Sequence, residues 1–275
     1  MSTPTILEVR EEQAPLEVAL IYADIRRCMR LPLVNLVYRH LATVPDALAW
    51  VWSGVRSLIL SGELDASLDR LLHNLPKLRL EPFDLTFLGD LESFGRGALG
   101  RTLHAYNRGN GLNLIALTTI SLLLRKPARG IIKISREPPP YVVRPLPRLL
   151  KVADLDAETA DRVKNIAVLH RGGPGVIPSL YLHLANWPQF LIGACDRISP
   201  LLVDGSLERV RKSACELAEA EARHLLAIVE TASSNEAPIS AQAVAVIERF
   251  KDRVIPEMLP IGLALSHFLS KPAAR

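Results

Sequence analysis

Residues 40–48 read HLATVPDAL and residues 183–191 read HLANWPQFL; His, Leu, Ala, Pro and Leu recur in place at an interval of 143. The register extends outward, with Tyr38 over Tyr181 and SGELD (61–65) over DGSLE (204–208). Upstream, ETADRVKNIAVLHR (158–171) follows EVALIYADIRRCMR (17–30) at an interval of 141, and GGPG at 172–175 absorbs the step. A repeat of roughly 130 residues is far longer than a solenoid unit, whose period is about 20–50. It is the size of a half-domain, and two duplicated halves are expected to pack about a pseudo-twofold axis, as an isologous dimer does. A pocket belongs at their junction, walled by the best-repeated stretches, 35–48 and 178–191. For any one residue in them, core packing explains the repetition as well as function does.

The periodicity predicts helix almost throughout. Leu20, Ile21, Ala23, Ile25 and Cys28 share a face of 16–30. Pro32 opens a helix over 33–42, and Thr43 and Pro45 introduce another that SG at 61–62 stops. SLDRLLHNL (67–75) and the apolar stretch 112–124 are further helices, with NRGN (107–110) read as a turn between elements. Apolar residues make up 49% of the chain and aromatics 5%, a mixture suited to helix-on-helix packing. Between 126 and 150 six prolines exclude helix and predict an extended connector. The expectation is therefore an all-α chain with a first repeat over 1–125, a Pro-rich linker over 126–150 and a second repeat over 151–275.

Charge and cysteines narrow the function classes. The net charge of +4 is concentrated at 125–151, where eight Lys/Arg face Glu137 alone. Prolines interrupt that run and no stacking aromatics accompany it, so it reads as a solvated basic linker with some pull on small anions, and not as a nucleic-acid site. Cys28, Cys195 and Cys215 are widely spaced with no CxxC, which predicts no disulfide framework, no zinc site and a cytoplasmic setting. The absent CxxC also argues against a thiol peroxidase of the alkylhydroperoxidase type. The apolar stretch 111–124 is shorter than the roughly 20 residues a membrane helix needs, so no membrane association is expected.

The pieces IYADIRRCMRLP, HLATVPDALAWVW, LHAYNRGN, the proline-rich connector and LHRGGP…LHLANWPQFL come in an order that resembles the group I, D,L-specific 2-haloacid dehalogenases, also called halocarboxylic acid dehydrogenases. The resemblance runs from about residue 15 to 270, and LANWP and YNRGN are its most specific parts. It implies an all-helical pseudo-dimer with the active site between the repeats, assembled as a homodimer and using no cofactor or metal. It implies a hydrolytic reaction on a short 2-halocarboxylic acid: an aspartate activates water, which attacks the α-carbon and expels halide with inversion.

Carried over by position, the resemblance assigns substrate-binding roles to Leu33 and Leu36, where the family sets a tryptophan and a phenylalanine. It assigns them also to Asn107 and Asn110 of YNRGN, to Ser179, to Tyr181 in the adjoining helix, and to Ile247, where the family sets a tyrosine. The aspartate position itself is Leu180, and no Asp or Glu occurs from 162 to 195. General-base assistance is worth about 10²–10⁴-fold, so the exchange bears directly on activity. His183, one turn beyond Leu180, offers an imidazole that could replace the base, paired with His40 from the other repeat. Beside that stands the plainer reading of two core histidines bonded to carbonyls. Ser179 has no triad, and its plain role is a helix cap. Two functions follow: a haloacid hydrolase with a displaced base, or a non-catalytic relative holding a small apolar acid.

Overall fold

A computed structural model describes residues 6–78, 80, 93–126, 130–170, 177–231 and 239–269. The GGPG step at 172–175 lies outside the described residues. Eleven α-helices are described: α1 (Leu16–Met29), α2 (Leu36–Leu41), α3 (Ala47–Leu60), α4 (Glu63–Asn74), α5 (Ser93–Leu124), α6 (Ala157–Val168), α7 (Ser179–Leu184), α8 (Pro188–Val203), α9 (Ser206–Val229), α10 (Ala241–Arg249) and α11 (Ile255–Phe268). A single π-helical stretch, Phe250–Val254, joins the last two. The fold is all-α; its one sheet among the described residues pairs β1 (Gly130–Ile131) with β2 (Glu230–Thr231) over two residues each.

The helices recur in order: α1 to α4 and α6 to α9 each run as a medium helix, a six-residue helix, a medium helix and another after a glycine. That glycine explains the matching SG and DG pairs. Gly62 and Gly205 precede α4 and α9 with φ of 86° and 78°, a left-handed conformation that side chains resist. The predicted α2 and α3 are shorter than expected. Residues before Leu36 are extended, and Thr43 does not cap α3; its Oγ1 donates to the His40 carbonyl at 2.7 Å.

The NRGN turn is not there. Residues 107–110 lie inside α5, a continuous helix of 32 residues packed against α9 and α11. Its glycines serve close approach, since a Cβ on Gly109 would sit 2.5 Å from the Asn35 amide and one on Gly111 would sit 2.3 Å from Leu68. Tertiary packing here overrides the turn preference of Asn and Gly.

Two apolar clusters make up the core. One apolar cluster joins α1–α4 and the C-terminal part of α5 to α9 and α10. The other joins Ala98–Tyr106 of α5 to α6–α8 and α11. Helix α5 runs through both, so the two halves bury their apolar faces on each other.

The connector has no helix or strand over 132–150 and is fastened at both ends. Arg56 on α3 donates to the Ile134 and Arg136 carbonyls at 3.0 and 3.3 Å, while Asn186 donates to the Arg148 carbonyl at 3.0 Å. All three cysteines are unpaired. No helix among the described residues is long and apolar enough to cross a membrane.

Candidate active site

A cavity of about 910 Å³ opens between α2, α5, α7 and α11, within the usual range for small-molecule sites. The entry to α2 supplies Leu33 and Leu36, and α7 supplies Ser179, Leu180, Leu182 and His183. Helix α5 presents Tyr106, Asn110 and Asn113, spaced to fall on one helical face. Phe250 from the π stretch and Glu257 and Met258 from α11 complete the inner wall, and Arg148 to Lys151 of the connector reach its rim.

Six of the residues singled out from the sequence therefore meet at one place: Leu33, Leu36, Asn110, Ser179, Leu180 and His183. Asn107, Tyr181, Ile247 and His40 do not line it. The Asn107 side-chain amide donates to the Gly262 carbonyl at 3.0 Å and to Ser266 at 2.8 Å, tying α5 to α11. Tyr181 is fully buried behind the wall. Ile247 is fully buried in the first cluster, and Phe250, nearly one turn later, lines the cavity instead.

His183 is closed to water. Its Nε2 lies 2.9 Å from the Pro147 carbonyl, which can only accept, so Nε2 carries the proton. Its Nδ1 lies 2.9 Å from the Tyr106 hydroxyl and accepts from it. Burial lowers its pKa below 6.5 against the opposing effect of the Pro147 hydrogen bond. No ring nitrogen is left to take a proton from a cavity water, which removes His183 as the substitute base. His40 does not meet it across the junction; its Nδ1 sits 2.6 Å from the Leu7 carbonyl and its ring against Phe250.

Ser179 opens α7 without capping it and hydrogen-bonds Tyr106. Burial pushes the Tyr106 hydroxyl up to about 12 despite that bond, so it remains a donor at neutral pH. The run Ser179–Tyr106–His183–Pro147 thus fixes the polar edge of the cavity and anchors the connector over it. Around the α2 side, Asn35 Oδ1, Arg39 Nε and Asn113 Nδ2 are buried with no hydrogen-bond partner. Asn113 already accepts from Tyr38 through Oδ1 at 2.6 Å, so its amide N–H groups are what remain unused. Buried polar groups left unmatched cost about 1–3 kcal/mol each and mark a wall built for polar company.

Sequence reasoning missed the pair His170 and Glu257. Both line the cavity, with His170 Nδ1 3.2 Å from Glu257 Oε1. His170 Nε2 lies 3.0 Å from the Tyr181 hydroxyl. Glu257 was legible as the lone acidic residue in VIPEMLPIGLALSHF (254–268), an otherwise apolar helix. No group of three or more potential metal ligands is found among the described residues.

No protein-family model matches the chain. Over 198 residues, 66% of the chain, it is 27% identical to a configuration-inverting 2-haloacid dehalogenase of Alcaligenes xylosoxydans xylosoxydans. The match spans 64% of that relative, less than two thirds of its length. In fold, the chain superposes on a D-2-haloacid dehalogenase solved in complex with L-LA, with a TM-score of 0.68 over 98% of both chains at 16% identity. A mutant D-2-haloacid dehalogenase in complex with D-2-CPA gives 0.67 over 98% of this chain and 97% of that one, at 17% identity. At such identities the structural likeness establishes a shared all-α fold.

Proposed function

We propose that this chain is a 2-haloacid dehalogenase, with the cavity taking a short 2-halocarboxylic acid whose α-carbon is attacked by water, expelling halide with inversion. The observation that carries this reading is the meeting of Leu33 and Leu36 with Ser179 and Leu180 on one cavity between the halves. The sequence similarity to a configuration-inverting 2-haloacid dehalogenase supports it. So does the repeated helix order, which we take as two tandem repeats about a pseudo-twofold axis, assembled as a homodimer.

In this reading Leu33, Leu36, Leu180 and Met258 form the dry cradle for halogen and alkyl group. Asn110 and Asn113 supply hydrogen-bond donors to the carboxylate, Ser179 holds Tyr106 beside them, and Arg148 and Lys151 at the rim draw anions in. Attack by water needs a proton acceptor within hydrogen-bond reach, which neither Leu180 nor the occupied His183 ring supplies.

The test is halide release from D- and from L-2-chloropropionate, with the configuration of the hydroxyacid product. Release from at least one enantiomer with inversion is expected, and the ratio between the two sets the stereochemical class. Silence with both, at protein concentrations that give a folded spectrum, would leave only a non-catalytic protein that binds a small acid.

A further inference from the structure

The cavity is far larger than a three-carbon acid needs. A dry cavity of about 150 Å³ already holds benzene, which has as many non-hydrogen atoms as 2-chloropropionate. At about 910 Å³ this one is about six times that size. A short acid seated against Asn110 and Leu180 would leave most of the wall facing water.

Much of that wall is apolar. Leu149 and Leu150 of the connector line the cavity together with Ile177, Leu182 and Leu33. Leu150, Ile177 and Leu182 are half-buried and pack against the second apolar cluster, while Leu33 packs against both clusters. Each therefore has one side in the core and the rest bordering the cavity. Leu149 is 37% exposed. Apolar side chains that front one opening and stay partly uncovered mark a ligand groove.

The fold also holds this wall in place. His183 Nε2 donates to the Pro147 carbonyl at 2.9 Å and Asn186 donates to the Arg148 carbonyl at 3.0 Å, just before the two connector leucines. Just after them the Lys151 N–H donates to Asp154 at 3.1 Å, and the Arg148 side chain turns to the same carboxylate at 3.0 Å. Leu149 and Leu150 are thus presented from a backbone pinned on both sides, and a preorganised wall lowers the cost of binding. Hydrogen-bonding groups stand on another part of the lining, where Tyr106, Asn110 and Asn113 share one face of α5. A molecule with one polar end and one long apolar end matches this division.

We propose that the cavity is built for a medium-chain 2-halocarboxylic acid of about six to eight carbons, its alkyl chain lying along Leu149, Leu150, Ile177 and Leu182. The proposal rests on the reading of the cavity as an acid site and extends it in chain length.

The experiment measures Kd by calorimetry for propionate, butanoate, hexanoate and octanoate, which carry no halogen, so that binding is read without turnover. Affinity is expected to rise about two- to fourfold per added methylene, or about 30–10³-fold from propionate to octanoate. The heat-capacity change should grow more negative along the series. Leu149→Ser and Leu150→Ala should each lower the octanoate-to-propionate affinity ratio by about 3–10-fold. Folding is checked by circular dichroism; should Leu150→Ala not fold, Leu149→Ser, at the more exposed position, carries the comparison. Affinity that is absent, flat or falling with chain length overturns the proposal, whatever halide release shows. A steep rise that both variants leave intact overturns the placement of the chain along the connector. Halide release from 2-bromooctanoate and 2-bromopropionate then separates the two readings: kcat/KM is expected to be at least about tenfold higher for the longer acid. Silence with both bromoacids beside a steep rise in affinity overturns the dehalogenase reading and leaves a site for medium-chain acids.

Discussion

Tyr38 and Tyr181 stand at matching positions of the repeated sequence, one in the first half of the chain and one in the second, and so do His40 and His183, yet their partners differ. Both tyrosines are fully buried hydroxyl donors, but Tyr38 ends on the Asn113 amide and Tyr181 on His170, which leads to Glu257. Each histidine meets a backbone carbonyl, of Leu7 or of Pro147, but only His183 is also locked by a second side chain, Tyr106. The repeated residues therefore do repeated structural work. What distinguishes the halves is what was never repeated: His170 stands where the first half has Met29, and Glu257 belongs to a helix with only a loose counterpart.

The histidine pair offers the strongest way to break that view. His183→Ala would take away the donor that meets the half-buried Pro147 carbonyl and the acceptor of the buried Tyr106 hydroxyl proton, and open a hole beside the connector. A loss of about 2–4 kcal/mol in stability is expected by chemical denaturation. His40→Ala removes a bond that lies at the surface and should cost less than about 1 kcal/mol. Equal losses would mean that the two halves are fastened alike.

Acid should separate the halves next. His183 has its pKa lowered, by burial first, so the unfolded chain takes that proton more readily than the folded one. Stability is then fully present above about 6.5 and falls as pH drops below it, at no more than about 1.4 kcal/mol per unit for this one group. The first half answers later. Asp24 accepts from Trp52 and Arg56 at 2.9 Å and from Arg27, which together outweigh the burial that would raise its pKa. With a folded pKa below 3.8, its contribution is lost only as pH falls under that value. The corresponding second-half positions, Asn165, Cys195 and Ser199, hold no such carboxylate. Urea midpoints from pH 8 to 3 should therefore decline in two stages. His183→Ala should flatten the upper stage and Asp24→Asn the lower one.

The same contrast explains what could be read from the chain. The helices, the non-helical connector and the α7 side of the cavity are legible because apolar spacing, prolines and LANWP report on local structure. Helix α5 was cut in two because Asn107, Gly109 and Asn110 carry turn chemistry. Their use, making room for Asn35 and holding α11 at Gly262, depends on segments far away in sequence. For that reason Asn113 was not recognised as the next residue on the Tyr106–Asn110 face. Glu257 is not legible as a cavity residue because nothing near Leu180 in the chain points to it, whereas the cavity brings the carboxylate in from α11. Ile247 was placed by counting from a motif, and the helix phase puts Phe250 at the cavity in its stead.

The smallest effect is also the most discriminating. Tyr38→Phe and Tyr181→Phe each delete one buried hydroxyl and leave one acceptor unmatched, the Asn113 carbonyl or the His170 ring nitrogen. Both should cost about 1 kcal/mol in stability, because the change of shape is slight and one hydrogen bond is lost in each. If the hydroxyls are purely structural, halide release by the two variants should also match. If the His170 wall of the cavity supports turnover, only Tyr181→Phe loosens it, and kcat should drop a few-fold, on the order of the loss of one positioning bond, with KM nearly unchanged. A matched pair of kcat values would return Tyr181 to the same footing as Tyr38 and reduce the His170–Glu257 contact to packing.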